Sequence, residues 1–163
     1  MSPSFILAAD SADAPPVTFL RHGLEWIGRF HVLTVHFPIA LIAAAAMAEG
    51  WLMVIRQKNP SSTVRYCLAL GAAGAVMAAA LGWPHAAWGG FSDSPSMTLE
   101  WHRWLGTITA VVAIVTFIAG ERDARRRLRS PLFRAMLFAL ALMVGVSAHL
   151  GGTLTHGDAF LKW

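Results

Sequence analysis

Little in this chain would hold a small protein together in water. Its single cysteine, Cys67, excludes an internal disulfide and any Cys-x-x-Cys site. No Cys-x-x-Cys-His stretch exists either, so a covalently attached c-type haem is ruled out. A lone thiol of this kind reads as a small buried apolar side chain. Charge is scarce: 13% of residues are Asp, Glu, Lys or Arg, while 56% are hydrophobic. Soluble domains run at about 25% charged and about 45–50% apolar, so a water-soluble globule is disfavoured. The basic excess of +4 is not a nucleic-acid signature, because no stacking aromatics interleave with the run Arg125-Arg126-Arg127. The first residues are not expected to act as a signal peptide. The apolar core Phe5–Ala9 has no basic residue before it and falls short of the roughly 7–15 residues required, so residues 1–16 are expected to form a flexible tail.

What the chain does have is four long apolar runs. Each is of the length that crosses the roughly 30 Å hydrocarbon core of a bilayer as a helix. The expected spans are residues 33–55, 66–83, 101–119 and 131–150. The fold class is therefore all-α: an integral-membrane four-helix bundle, up-down-up-down, forming one domain over residues 17–163. Before the first span, Val17, Leu20, Leu24 and Ile27 recur at helical spacing and suggest a short interfacial helix, on which His22 is expected to be solvated.

Punctuation marks the span ends. Pro38 either sits in the first turn of span one or kinks a helix that starts nearer Phe30. Asn59-Pro60-Ser61 breaks the chain after span one, and Pro84 is expected to end span two. Span two carries a small-residue ridge, Gly71, Ala75, Ala79 and Gly82, of the kind that lets membrane helices approach closely. Thr98 is a candidate cap for span three and Gly120 its C-cap. Ser130-Pro131 reads as N-cap and first-turn proline, and Gly151-Gly152 as the stop of span four.

Orientation follows from basic residues. Arg56, Lys58, Arg65, Arg122, Arg125, Arg126, Arg127, Arg129 and Arg134 lie after spans one and three, nine of the thirteen Lys and Arg. By the positive-inside rule both termini lie outside, in the periplasm if the membrane is a bacterial inner membrane. Six of the seven tryptophans, all but Trp51, fall on that outer side.

The histidines form the main functional clue. Counting about twenty residues outward from each inner helix end reaches His36, His85, His102 and His149, one per helix at a similar height. His31, His156 and His22 lie further out. One turn deeper on the same helices are Ala40, Gly82, Gly106 and Gly145, a floor without bulk. Imidazoles above such a floor suggest one or two b-type haems, each held by two neutral histidines. The diagonal pairs are His36–His102 and His85–His149, with adjacent-helix pairs also open, and Arg103 and Arg29 are candidate propionate partners. Alternatively, His36, His102 and His149 hold Zn or Cu, with His85 a further candidate ligand. The bland alternative is a structural membrane subunit whose histidines bond to backbone or lipid. Glu49 is the one acid within a span: either it pairs with a base at the inner end or bonds between helices, or it relays protons.

The segments R-F-H-V-L-T-V-H-F-P-I-A-L (Arg29–Leu41), W-H-R-W-L-G (Trp101–Gly106) and H-L-G-G-T-L-T-H-G-D (His149–Asp158) resemble an uncharacterised bacterial four-helix membrane domain. In planctomycete-like bacteria that domain is often fused to c-type cytochrome domains. The resemblance spans nearly the whole chain. It implies respiratory electron transfer, with the recurring histidines matching His31, His36, His102, His149 and His156. These residues include no cytochrome c domain, so the expected partners, besides membrane lipid, are other respiratory-complex subunits and a separate c-type cytochrome or quinol.

Overall fold

The computed structural model describes residues 19–88 and 97–156. The expected flexible tail, Gly89-Gly90, Asp93, Pro95, and the terminal stretch with Asp158, Phe160, Lys162 and Trp163 lie outside the described residues. Six helices follow in order: α1 (Phe19–Gly28), α2 (His31–Thr34), α3 (His36–Val54), α4 (Ser62–Trp88), α5 (Met97–Arg125) and α6 (Pro131–His156). The described residues contain four stretches long and apolar enough to cross a membrane, the first running from α1 through α3. Each of α3 to α6 packs on the next and α6 closes onto α3, the square of an up-down-up-down bundle.

The interior is small and the exterior large. Ile42, Leu68, Leu137 and Leu140 fill the centre among Ala45, Ala72, Ala75, Ala110 and Ala113. Met47, Val54 and Leu142 are 70–75% exposed. A soluble protein could not carry so much outward apolar surface. In lipid that surface is solvated, and helices associate through close packing instead. The predicted ridge on α4 does this. A Cβ added at Gly71 would lie 2.8 Å from Ile42 Cγ1, and one at Gly82 would lie 3.0 Å from His31 Cε1.

Pro38 lies in the first turn of α3, and its missing N–H falls at the junction with α2, where it would otherwise bond Thr34 O. The one-turn helix α2 precedes it, joined through Val35, whose backbone is helical. Ser130 caps α6 as expected, its Oγ accepting from Phe133 N at 3.1 Å.

Four helix ends differ from expectation. Pro84 does not stop α4, which runs on to Trp88. There α1 packs on α4, and a Cβ at Gly28 would lie 2.9 Å from His85 N, so the last turn is held by tertiary contact. Gly120 is inside α5 rather than capping it, because a Cβ there would lie 2.8 Å from the Phe133 ring. For the same reason Gly151-Gly152 does not end α6: the His102 ring lies over Gly151, 3.0 Å from where a Cβ would be. Thr98 lies within α5, which starts one residue earlier.

Both turns at the arginine-rich end close without glycine. After α3, Gln57 N bonds Leu52 O and Arg56 N bonds Met53 O. After α5, Leu128 N bonds Asp123 O and Arg127 N bonds Ala124 O. These are paired Schellman closures, which place one residue in the left-handed region, usually glycine. Here it is Arg56 (φ 53°) and Arg127 (φ 54°).

Candidate functional site

At the end of the bundle opposite those turns, three imidazoles from three elements meet. The ring of His31 on α2 lies 6.0 Å from that of His85 on α4 and 6.1 Å from that of His102 on α5, centroid to centroid. Two of them are oriented by backbone. His31 Nδ1 is 2.8 Å from Ala78 O, and His102 Nδ1 is 3.0 Å from Ser147 O. A carbonyl only accepts, so each Nδ1 carries the hydrogen and, in the neutral ring, each Nε2 keeps a lone pair. A backbone bond of this kind sets the tautomer and ring orientation of histidines that ligate metals.

Glycines on the neighbouring helix make room. Gly82 of α4 receives the edge of His31, and Gly151 of α6 receives the edge of His102. Beside them, Arg103 lies over the Trp83 ring, 4.2 Å from its centroid, and its buried Nε has no hydrogen-bond partner among the described residues. Trp83 is fixed by an edge-on contact with Trp104 at 5.5 Å. Its Nε1 also donates to Thr107 Oγ1 at 3.2 Å.

The remaining expected site residues are placed elsewhere. His36 is exposed and bonds the carbonyl of its own preceding turn, Nδ1 to Val32 O at 2.9 Å. His149 and Ala40 are exposed, and Gly145 has nothing within 4 Å of a built Cβ. His156 and Arg29 are exposed, and His156 Nδ1 lies 2.7 Å from Thr155 Oγ1. Gly106 faces Ser147 at 3.8 Å. The pairs His36–His102 and His85–His149 are therefore not assembled within this chain. The reason is azimuth. Five residues along a helix turn a side chain by about 140° and two by about 200°. With His31 facing inward, His36 faces out; with Gly151 facing His102, His149 faces out. Counting along an axis measures height and is blind to direction. The small residue opposite each imidazole also sits on the neighbouring helix, not one turn deeper on its own.

Glu49 belongs to the other end. It is 1% exposed, and its Oε1 accepts from Arg129 Nη2 at 2.5 Å and Arg134 Nε at 3.1 Å. Of its expected roles, the ion-paired one is the geometry found. Arg65 and Glu121 make a second, bidentate clamp between α4 and α5, both contacts 2.7 Å.

Fold and surface together define a multi-pass membrane protein with a polar, histidine-bearing end. The chain belongs to a family of predicted membrane proteins, DUF2231, whose model matches residues 29–160. The matched residues include the histidine trio, Arg103 and both arginine-end turns. No curated protein and no solved structure matches the chain.

Proposed function

We propose that this protein is a membrane electron-transfer module for a b-type haem at its histidine end, where His31 and His102 are the residues that would hold the iron. One observation carries this reading. Two imidazoles from different elements have their Nδ1–H groups tied to backbone carbonyls, and their rings stand 6.1 Å apart. Two imidazoles bound end-on to one metal at about 2.0–2.1 Å put their centroids roughly 6 Å apart. Haem iron would supply one-electron chemistry there. The chain's own residues orient the two rings through Ala78 and Ser147 and give them space at Gly82 and Gly151. Arg103, half-buried over the Trp83 ring with a buried Nε that lacks a hydrogen-bond partner among the described residues, suits an acidic substituent of the cofactor, since a buried donor left unpaired is costly. His85, beside His31, is the alternative second ligand.

The donor count favours haem over a simple metal ion. Among the described residues no three His, Cys, Asp or Glu side chains converge as an ion site, whereas haem asks the protein for only two. That nine of the thirteen basic residues lie at the opposite end supports, through the positive-inside rule, a reading in which the histidine end and both termini face the periplasm of a bacterial inner membrane. A single layer of imidazoles at one face does not span about 30 Å of bilayer. Electrons would therefore be exchanged at that face, with a c-type cytochrome, a quinol or a neighbouring respiratory subunit.

The test is a reduced-minus-oxidised visible spectrum of the purified chain from haem-replete membranes. A b-type spectrum is expected that is lost in His31→Ala and in His102→Ala but kept in His36→Ala and His149→Ala. No Soret band in the wild-type protein, or equal loss in the two outward-facing variants, would overturn the reading.

A further inference from the structure

The arginine end carries a second site. Between the turn after α3 and the turn after α5 lies a cleft of about 450 Å³, lined by Arg56, Lys58, Arg127, Arg129 and Arg134 with no Asp or Glu. Arg129 and Arg134 are engaged by Glu49, and Arg129 also reaches the carbonyl of Gln57. The side chains of Arg56, Lys58 and Arg127 have no ion pair among the described residues. Three unpaired cations thus face one cleft, beside a clamp that keeps the two turns together.

The backbone adds a second observation. Arg56 and Arg127 each hold the left-handed position of a Schellman closure, where glycine is the residue free of steric cost. Arginine in both places puts two long cations at equivalent turns that both line the cleft. Part of the wall is apolar: Leu52, Met53 and Leu128 complete the lining with the polar Gln57, and Met53 and Leu128 are exposed.

We infer that this cleft binds the phosphate of an anionic phospholipid headgroup, with Arg56, Lys58 and Arg127 as its ligands and the apolar wall against the first part of the acyl chains. The shared chemistry is a phosphate oxyanion, which arginine and lysine bind strongly. The cleft's place at the end of four lipid-facing helices, and its apolar wall, select a lipid over free phosphate. Basic pockets at the ends of membrane helices suit such headgroups.

The full-length chain in neutral detergent tests this through its thermal midpoint. Short-chain phosphatidylglycerol should raise the midpoint saturably, while short-chain phosphatidylcholine and inorganic phosphate at matched concentration should not. The double variant R56G/R127G removes two cations and relaxes two left-handed backbones. Its midpoint without lipid should be at least that of wild type, while its phosphatidylglycerol affinity falls on the order of twentyfold, at about fivefold per cation. Lys58→Gln, on the exposed turn, should lose about fivefold. An equal response to phosphatidylcholine or to free phosphate would overturn the inference, as would undiminished affinity in these variants.

Discussion

Glu49 shows how a single side chain can close one end of a membrane bundle. A carboxylate among apolar helices is tolerated because two guanidiniums, from the α5–α6 turn and from α6, converge on one of its oxygens. Removing the carboxylate leaves Arg129, itself 5% exposed at the side chain, as a buried charge without its counter-ion. Breaking a buried pair from one side costs about 3–5 kcal/mol. Glu49→Gln should therefore lower stability by about that much in reversible unfolding from detergent. The more exposed Arg65–Glu121 clamp should be worth far less, so Glu121→Gln is expected to cost at most about 1 kcal/mol. Similar losses from the two would remove the distinction between the clamps. Glu49 stood out in the sequence as the one acid inside an apolar run. Its partners did not, because Arg129 and Arg134 lie some eighty residues away, among several arginines of equal standing.

At the scale of the helix, glycine matters by what stands opposite it. Gly120 of α5 ends an apolar run just before Glu121-Arg122-Asp123, and Gly145 of α6 lies inside one. Gly120 meets Phe133, and Gly145 meets nothing. Gly120→Ala should force the Phe133 ring aside and cost about 1–3 kcal/mol. Gly145→Ala should be neutral, or stabilising by up to about 1 kcal/mol through helix propensity. Thermal midpoints of the two variants measured side by side test the difference, and a destabilised Gly145→Ala would argue against an open surface there. The helix ends teach the same lesson. Pro84 and Gly151-Gly152 are breakers by local preference, yet α4 and α6 continue through them. An imidazole or a neighbouring helix packs on those turns, and in lipid an unwound backbone would leave its polar groups unsatisfied.

For the molecule as a whole, the distribution of basic residues makes a claim about sidedness. With Cys67 replaced by serine, a single cysteine at Lys58→Cys should react with a membrane-impermeant maleimide only after the cells are opened. One at Thr155→Cys should react in intact spheroplasts, if the positive-inside rule holds here. The reverse pattern would turn the bundle over, putting the histidine end inside and the basic cleft on the outer leaflet. The two ends also divide the work physically. The arginine end is tied by ion pairs between elements, and the histidine end by imidazole–carbonyl bonds and ring contacts, with an alanine-lined core between them.

Composition and run length alone determined the solvent of this protein, the number of its crossings and the Ser130 cap, because those depend on residue type and local order. They also placed histidines at one end of the bundle, since height along a helix is a matter of counting. Which imidazoles face one another was decided only by tertiary structure. Rotation about each axis is set by which small residues let neighbouring helices approach, and that made His31, opposite Gly82, an inward residue and sent His36 and His149 to the outside. The arginines at the two left-handed turns belong to the same class of fact: their sequence neighbours do not announce them, and the closure of two helices onto one cleft does.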